Sequence, residues 1–418
     1  MTAPEVITFG CRINAYESEV VRARATEAGL KDAVIFNTCA VTGEAVRQSR
    51  QAIRSRRRND PQTKIIVTGC AAQIDPQLYA AMPEVDLVLG NREKLDGASY
   101  RNFGIAAAER VRVNDILSVK ETAAQFVDGF EGRARAFLQV QNGCNHRCTF
   151  CIIPYGRGNS RSVPMGGVIE EARRLVARGY AEIVLTGVDL TAYGADLPGA
   201  PSLGTLVRKL LRMIPGLTRL RLSSVDSIEA DPELMRAIAH EERLMPHFHL
   251  SAQSGDDMIL KRMKRRHSRR HTIAFCEEVR RLRPEAAFGA DLIAGFPTET
   301  EAMFANSLKL VEDADLTFLH VFPFSPRKGT PAARMPQLPR TVVKERAARL
   351  RTKGAEQLRS RLEALVGTRQ SILVEDQRRG RTECYASAEL DRPAATGELL
   401  KVRVAGVAAD YLQATVIS

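Results

Sequence analysis

Short apolar runs alternate with helix-like segments along most of this sequence, and that alternation leaves few folds open. Near the start stand "EVITFGC", ending at Cys11, "DAVIFNTC", ending at Cys39, and "KIIVTGC", ending at Cys70, followed by "VDLVLGN" from Val85 to Asn91. Brief β-branched or aromatic runs bounded by polar stretches read as buried strands. Strands that alternate with helices build βαβ units and hence a parallel sheet, whose carboxyl edge is where ligands gather. The first three strands each end in a cysteine, so Cys11, Cys39 and Cys70, separated by 28 and then 31 residues, are expected to converge at that edge.

Residues near 95–130 lack clear periodicity and read as a linker with some strand. A second series begins at Ala136: "AFLQV", "EIVLTG" (Glu182 to Gly187), "RLRLSS" (Arg219 to Ser224), "HFHLSAQ" (His247 to Gln253), "FGADLIAG" (Phe288 to Gly295) and "FLHVFPF" (Phe318 to Phe324). Helical patterns such as "VIEEARRLVARG" and "TIAFCEEVRRLRP" fill the gaps. Six β/α repeats predict a full or partial barrel with its active site at the carboxyl ends of the strands. A charged helical stretch, "RTVVKERAARLRTKGAEQLRSRLEALVG", leads to a tail from about Thr368 that alternates like a small antiparallel β-domain. The expected class is α/β, with a parallel-sheet unit over 1–125, a partial barrel of six β/α units over 130–362 and a small β-barrel over 363–418.

"QNGCNHRCTFCIIPYGRG", from Gln141 to Gly158, follows the first strand of that second series and holds Cys144, Cys148 and Cys151 in the spacing Cys-x3-Cys-x2-Cys. Three thiolates on one loop can hold three iron corners of a cubane 4Fe-4S cluster, leaving the fourth iron open to an exogenous molecule. Structural zinc is the other reading, with His146 as a fourth ligand, although the loop would have to fold awkwardly to turn four ligands onto one ion. Cys11, Cys39 and Cys70 would make a second site of the same kind. Phe150 is placed to form an aromatic wall beside a bound heterocycle. The glycines of "LTGVD" (Gly187) and "DLIAGFP" (Gly295, with Asp291) stand at strand ends, where backbone can approach a ligand closely. Cys276 and Cys384 match no motif and read as inert thiols.

Sixty-one Lys and Arg against 49 Asp and Glu give a net charge of +12. Such an excess favours a polyanionic partner. Arg47, Arg50, Arg54 and Arg58 fall on one helical stripe after Cys39, and "LKRMKRRHSRR" packs seven basic residues between Lys261 and Arg270. Both suit phosphate contacts that do not read sequence. No basic segment followed by an apolar one opens the chain, and no stretch approaches the ~18 apolar residues of a membrane span. A cytoplasmic protein is therefore expected, and in a reducing compartment clustered cysteines are metal ligands or catalytic thiols.

The Cys144-x3-Cys148-x-Phe150-Cys151 motif is similar to the radical S-adenosylmethionine (SAM) signature. With "TFGCRINAYESE", "NTCAVTGEAVRQSR", "TGCAAQ", "LTGVDLTAYG", "HLSAQSG", "GADLIAGFPTET" and "HVFPFSPRKGTPA", the chain resembles the radical SAM methylthiotransferase family over almost its whole length. The resemblance implies two 4Fe-4S clusters, one on Cys144, Cys148 and Cys151, the other on Cys11, Cys39 and Cys70. It also implies two SAM molecules per product, one giving a methyl group and the other a radical, so that C–H becomes C–S–CH3. Phe150, Gly187, Asp291 and Gly295 would then adjoin SAM, and Arg157 of "PYGRG" would support the ligands or touch substrate. "NTCAVTGEA" resembles the type that acts on N6-threonylcarbamoyladenosine at position 37 of tRNA, next to the anticodon. Other members act on N6-isopentenyladenosine in tRNA or on a ribosomal-protein aspartate. The tail resembles a TRAM domain, a small RNA-binding β-barrel, and "HLSAQSG" carries Ala252 where the family usually has a larger aliphatic residue. The implied partners are tRNA, a reductant such as flavodoxin or ferredoxin, and a sulfur source, with no membrane. A reading from a different class, a non-catalytic RNA-binding module with two structural zinc sites, is separable by metal content.

Overall fold

The computed structural model describes residues 3–101, 103, 109–122, 125, 129–130 and 132–417. Five parallel strands form the first sheet in the order β1 (Glu5–Thr8), β2 (Ala33–Thr38), β3 (Lys64–Gly69), β4 (Leu87–Leu89) and β5 (Val111–Arg112). The strand β5 falls inside the stretch read as linker. The join expected between 125 and 130 lies in part outside the described residues. All six residues of β2 are buried, as expected where helices cover both faces of a parallel sheet. Alternate side chains divide between two cores. Val34, Phe36, Ile65 and Val67 pack with Ile53 and Tyr79, while Ile35, Ile66, Leu87 and Leu89 pack with Val21 and Ala25. Helix α1 (Arg12–Glu27) follows β1, and α2 (Gly43–Asn59) follows β2. The start of α2 is set by the Thr42 side chain, which accepts from the Ala45 N–H at 3.1 Å, and Arg56 to Arg58 lie at its negative carboxyl end.

The second unit opens with β6 (Arg135–Gln139), then a short ribbon of β7 (Gln141–Asn142) and β8 (Arg161–Ser162) that frames the cysteine loop. Next come β9 (Glu182–Thr186), β10 (Arg219–Leu222), β11 (His247–Gln253), β12 (Ala287–Ala294) and β13 (Leu316–Pro323). Strands β6, β9 and β10 pair in parallel, as do β11, β12 and β13. A thin seam joins the two halves: Val225 N–H donates to the His249 carbonyl at 2.8 Å, and Leu220 bridges Leu244. The result is an open arc of six parallel strands in sequence order. At one side Ala15, Tyr16 and Val20 of α1 enter the barrel core beside Phe130 and Phe137, which docks the first sheet on the barrel. On the other side the helix Arg340–Ala364 lies on β13, and a side chain at Gly354 would come within 2.9 Å of Leu319.

The tail closes into a barrel of β14 (Arg369–Asp376), β15 (Arg379–Arg381), β16 (Ser387–Leu390), β18 (Tyr411–Val416) and β17 (Leu399–Ala408), in that spatial order. The sequence suggested an all-antiparallel domain, but β16 and β18 run parallel. A closed ring with an odd number of strands cannot alternate direction all the way round, so one parallel pair is required. Inward residues such as Ile372, Val374, Val402, Val404 and Leu412 fill its core.

This barrel seals the amino-terminal ends of the six strands. Tyr385 stacks on His247 with ring centroids 4.7 Å apart, and the guanidinium groups of Arg135, Arg221 and Arg381 lie 5.5, 5.1 and 4.4 Å from its ring. Arg221 donates to the Thr382 and Glu383 carbonyls, and Arg219 to that of Ser371. Buried Glu182 receives Arg135 at 2.7 Å and faces Arg221 at 2.9 Å; their charges outweigh its burial and hold its carboxyl below the usual range. Tyr385 holds this position with φ at 74°, a left-handed conformation unusual for so bulky a residue. Among the described residues no helix is long and apolar enough to cross a membrane.

Candidate functional site

The carboxyl edge of the first sheet and the carboxyl ends of the barrel strands face each other across one cavity of about 710 Å³. Cys11, Cys39, Cys70, Cys144, Cys148 and Cys151 all line it, and all are free thiols. Cys276 and Cys384 are buried elsewhere, in the barrel core and in the core of the tail.

Each residue of the first trio comes from the end of a different strand. Strands β1, β2 and β3 are in register, with Thr8 opposite Asn37 and Thr38 opposite Gly69, so the residues that follow them reach one place. Gly10 makes the convergence possible: a Cβ there would lie 2.6 Å from both Cβ and Sγ of Cys39, and its φ of 94° already favours glycine. Behind the trio lies a buried charge network. Arg157 Nε donates to Cys70 Sγ at 3.0 Å, and its other nitrogens donate to Glu17 and Asn14. Lys94 donates to the second oxygen of Glu17 at 2.6 Å and to Asn37 at 3.2 Å. Burial alone would push the Glu17 carboxyl up, but Arg157 and Lys94 outweigh it and hold Glu17 below its ordinary value. Asn91 ties the network to the cysteine loop by donating to the Gly156 carbonyl at 2.6 Å.

The second trio is local. Gly143, with φ at 72°, turns the chain so that Cys144 N–H donates to the Gly158 carbonyl at 3.1 Å. Thr149 pins the loop to the barrel, donating from its N–H to the Met263 carbonyl and from Oγ1 to that of Arg262. Arg265 reaches Cys148 Sγ at 3.6 Å and is held by Asp226 at 2.7 Å, with His267 3.5 Å from the same carboxylate. Burial raises the thiols of Cys11 and Cys144, and lifts Cys39 to about 12 and Cys151 to about 11. Within each trio the sulfurs also repel one another's charge: Cys70 bears on Cys11 and Cys39, and Cys148 bears on Cys144 and Cys151. Metal binding at either trio must therefore displace protons.

Two tighter clusters share the wall. Cys144, His146 and Asp189 have ligand atoms within 4.8 Å of one another, as do His249, Asp291 and His320. Neither cysteine trio is that tight among the described residues, and zinc needs its sulfurs within about 4 Å of each other. His146 does not turn toward Cys148 and Cys151; its ring lies 3.2 Å from Asp189 and 3.3 Å from Glu229. Asp291 lies 2.8 Å from His249 and 3.2 Å from His320, and these hydrogen bonds overcome its burial and hold its carboxyl well below the usual range.

The sequence-predicted contacts divide. Phe150, Gly187, Asp291 and Arg157 line the cavity. Gly187 has a packing reason of its own, since a Cβ there would come within 2.8 Å of Gln141 Oε1, which accepts the Asp189 N–H. Gly295 does not line the cavity; it packs against Val343 and donates to Glu299 at 3.0 Å. Sequence reasoning missed Glu17, Lys94, Asp226, His249 and His320. It also read Arg265 as part of an RNA-facing stripe, whereas the structure turns it inward to Cys148.

Comparison with known proteins agrees with this geometry. Residues 4–90 match the uncharacterized protein family UPF0004, and residues 138–311 match the radical SAM superfamily. The threonylcarbamoyladenosine tRNA methylthiotransferase MtaB of Rickettsia prowazekii is 51% identical over 413 residues, covering 99% of this chain and 97% of that protein. The chain belongs to the radical SAM methylthiotransferase family. The MtaB of Aquifex aeolicus is 36% identical, covering 95% and 98% of the two chains. The tRNA-2-methylthio-N(6)-dimethylallyladenosine synthase of Cereibacter sphaeroides is 35% identical, covering 97% and 96%. Among solved structures, the radical SAM methyltransferase TsrM from Kitasatospora setae superposes with a TM-score of 0.57 at 14% identity, covering 80% of this chain and 77% of that one. That likeness speaks to the fold alone. Membership of this family carries two 4Fe-4S clusters and SAM as cofactors.

Proposed function

We propose that this chain installs a methylthio group at C2 of N6-threonylcarbamoyladenosine at position 37 of tRNA, next to the anticodon. The observation that carries this reading is the single cavity that takes in six free thiols from two separate trios. The 51% identity to an MtaB supports the threonylcarbamoyl substrate over the isopentenyl one, whose enzyme is 35% identical.

The donor sets fit iron–sulfur clusters: each trio offers three thiols, an open side toward the cavity, and one arginine that donates to a sulfur. Cys144, Cys148 and Cys151 would hold the cluster that binds SAM, and Cys11, Cys39 and Cys70 the other. When bound, the clusters and SAM supply the sulfur, the methyl group and the radical that opens the C2–H bond. The protein's own task is to hold, orient and enclose. Arg157 and Arg265 offset thiolate charge, and Glu17 and Asp226 fix the direction of each guanidinium. Phe150, Gly187 and Asp291 form the wall beside the loop trio and are the proposed SAM contacts. The His249 and His320 hydrogen bonds keep Asp291 ionised, so it stands as a fixed acceptor. The functional units are taken as residues 1–125, 130–362 and 363–418, the last a TRAM-like tRNA-binding barrel. A flavodoxin- or ferredoxin-type reductant, a sulfur source and a cytoplasmic setting complete the reading.

Nucleoside analysis of tRNA from a deletion strain tests it. The methylthio group should vanish from the threonylcarbamoyl nucleoside and persist on the isopentenyl nucleoside; the reverse would overturn the assignment.

A further inference from the structure

Among the described residues, every basic side chain on the cavity wall except one faces a carboxylate. Arg157 meets Glu17, Arg265 meets Asp226, His146 lies between Asp189 and Glu229, and His249 and His320 share Asp291. Arg12 is the exception among the described residues. Its Nη1 donates to the Ser223 carbonyl at 3.0 Å, and it also hydrogen-bonds the Tyr385 hydroxyl, so it has partners but no carboxylate. The cation that bears on Cys11 and Cys39 is Arg157.

A second observation points to the same spot. Ser223 is only 7% exposed and lines the cavity, and its hydroxyl has no hydrogen-bond partner among the described residues. A buried hydroxyl and a half-buried guanidinium, both short of partners and joined by the Ser223 carbonyl, ask for an anion with more than one acceptor.

We propose that Arg12 and Ser223 form the subsite for the threonyl carboxylate of the substrate nucleoside. This deepens the threonylcarbamoyladenosine reading and rests on it. The threonylcarbamoyl arm ends in a carboxylate, which the isopentenyl arm lacks. A guanidinium presents five N–H donors in a planar fork that suits a carboxylate, and the Ser223 hydroxyl adds another. An apolar arm at this place would leave Arg12 without a carboxylate partner, so the subsite selects against it as well as for its own ligand. Arg12 opens α1 beside Cys11, and Ser223 follows β10 of the barrel, so the substrate arm would span the two halves of the site.

The test uses the cluster-loaded enzyme and two tRNAs, one with N6-threonylcarbamoyladenosine and one with its carboxylate capped as the methyl ester. Two readouts are taken: kcat/KM for methylthio formation, and affinity by fluorescence anisotropy without reductant, so that no turnover occurs. Wild type should favour the free carboxylate by about 10–100-fold in both. In Arg12→Met that ratio should fall to about one, Arg12→Lys should restore part of it, and Ser223→Ala should lower it less than Arg12→Met. A ratio that persists in Arg12→Met, or an equal loss on both tRNAs, overturns the subsite. So does loss of iron in Arg12→Met, which would make Arg12 a support of the first trio. A wild type inactive on the threonylcarbamoyl tRNA but active on an isopentenyl tRNA would instead remove the functional reading beneath it.

Discussion

Cys144, Cys148 and Cys151 sit on one loop, whereas Cys11, Cys39 and Cys70 meet only when three strands stand in register. The two trios open on the same cavity, yet they depend on different parts of the molecule. The loop trio needs a glycine turn and the Thr149 tie to the barrel. The strand trio needs the whole first sheet and the buried Arg157–Glu17–Lys94 network behind it. Arg157 itself follows the cysteine loop in sequence, so the segment that carries one trio supplies the cation for the other. The strand trio therefore leans on the loop segment as well as on its own sheet.

The largest expected effect comes from removing each trio. Replacing Cys144, Cys148 and Cys151 together by Ala should halve iron and sulfide, as should replacing Cys11, Cys39 and Cys70, and either change should abolish methylthio formation. Anaerobic iron and sulfide assays with Mössbauer spectroscopy read this directly. If the loop replacement emptied both sites, the strand trio would depend on the loop cluster and the comparison would break.

Single glycines should reproduce the split. Gly10→Ala drives a Cβ to 2.6 Å from Cys39 Sγ, and Gly143→Ala drives one to 1.9 Å from the Asn159 carbonyl oxygen; both residues have φ in the left-handed region. The first should cost the strand-trio cluster and the second the loop cluster, each seen as loss of half the iron from an otherwise folded chain. Equal loss of both clusters from Gly10→Ala would mean that the sheet edge and the loop form one unit.

Next come the two arginines. Arg157→Met leaves Glu17 buried with Lys94 alone, and losing one partner of a buried pair costs about 3–5 kcal/mol. Arg265→Met should cost about 1–3 kcal/mol, since Asp226 is left with His267 nearby. Denaturant titration of the two variants compares them. A larger loss from Arg265→Met would make the loop-side arginine the stronger support and reverse this ranking.

Much of this architecture was open to a reader of the sequence, because parallel strands buried on both faces announce themselves as apolar runs, and cysteines at their ends mark a sheet edge. What stayed hidden was set by side chains meeting across long separations. Nothing near Glu17 or Lys94 in sequence marks them as partners 77 positions apart, and both read as surface charges until the fold buries them. Tyr385 gives no signal at all, since its role depends on the tail barrel pressing against strand starts more than 100 residues earlier. The parallel β16–β18 pair escaped for a different reason: alternation reveals faces, and it is ring closure that fixes direction.

The smallest effect separates the two basic stretches, one beside each trio. In α2, which begins just after Cys39, Arg58 is exposed and has no acidic partner among the described residues. Between Lys261 and Arg270, Arg265 donates to Asp226 and Arg269 to Asp313, so these two charges are balanced within the protein. A side chain already tied to a carboxylate releases no counterion from tRNA, while a free one releases about one. Arg58→Gln should therefore lower the slope of log affinity against log salt by about one, and Arg269→Gln should leave that slope where it is. The measurement is tRNA binding by anisotropy over a salt series. An equal fall in both slopes would mean that the internal ion pair opens on binding, and that the stretch beside the loop trio touches tRNA after all.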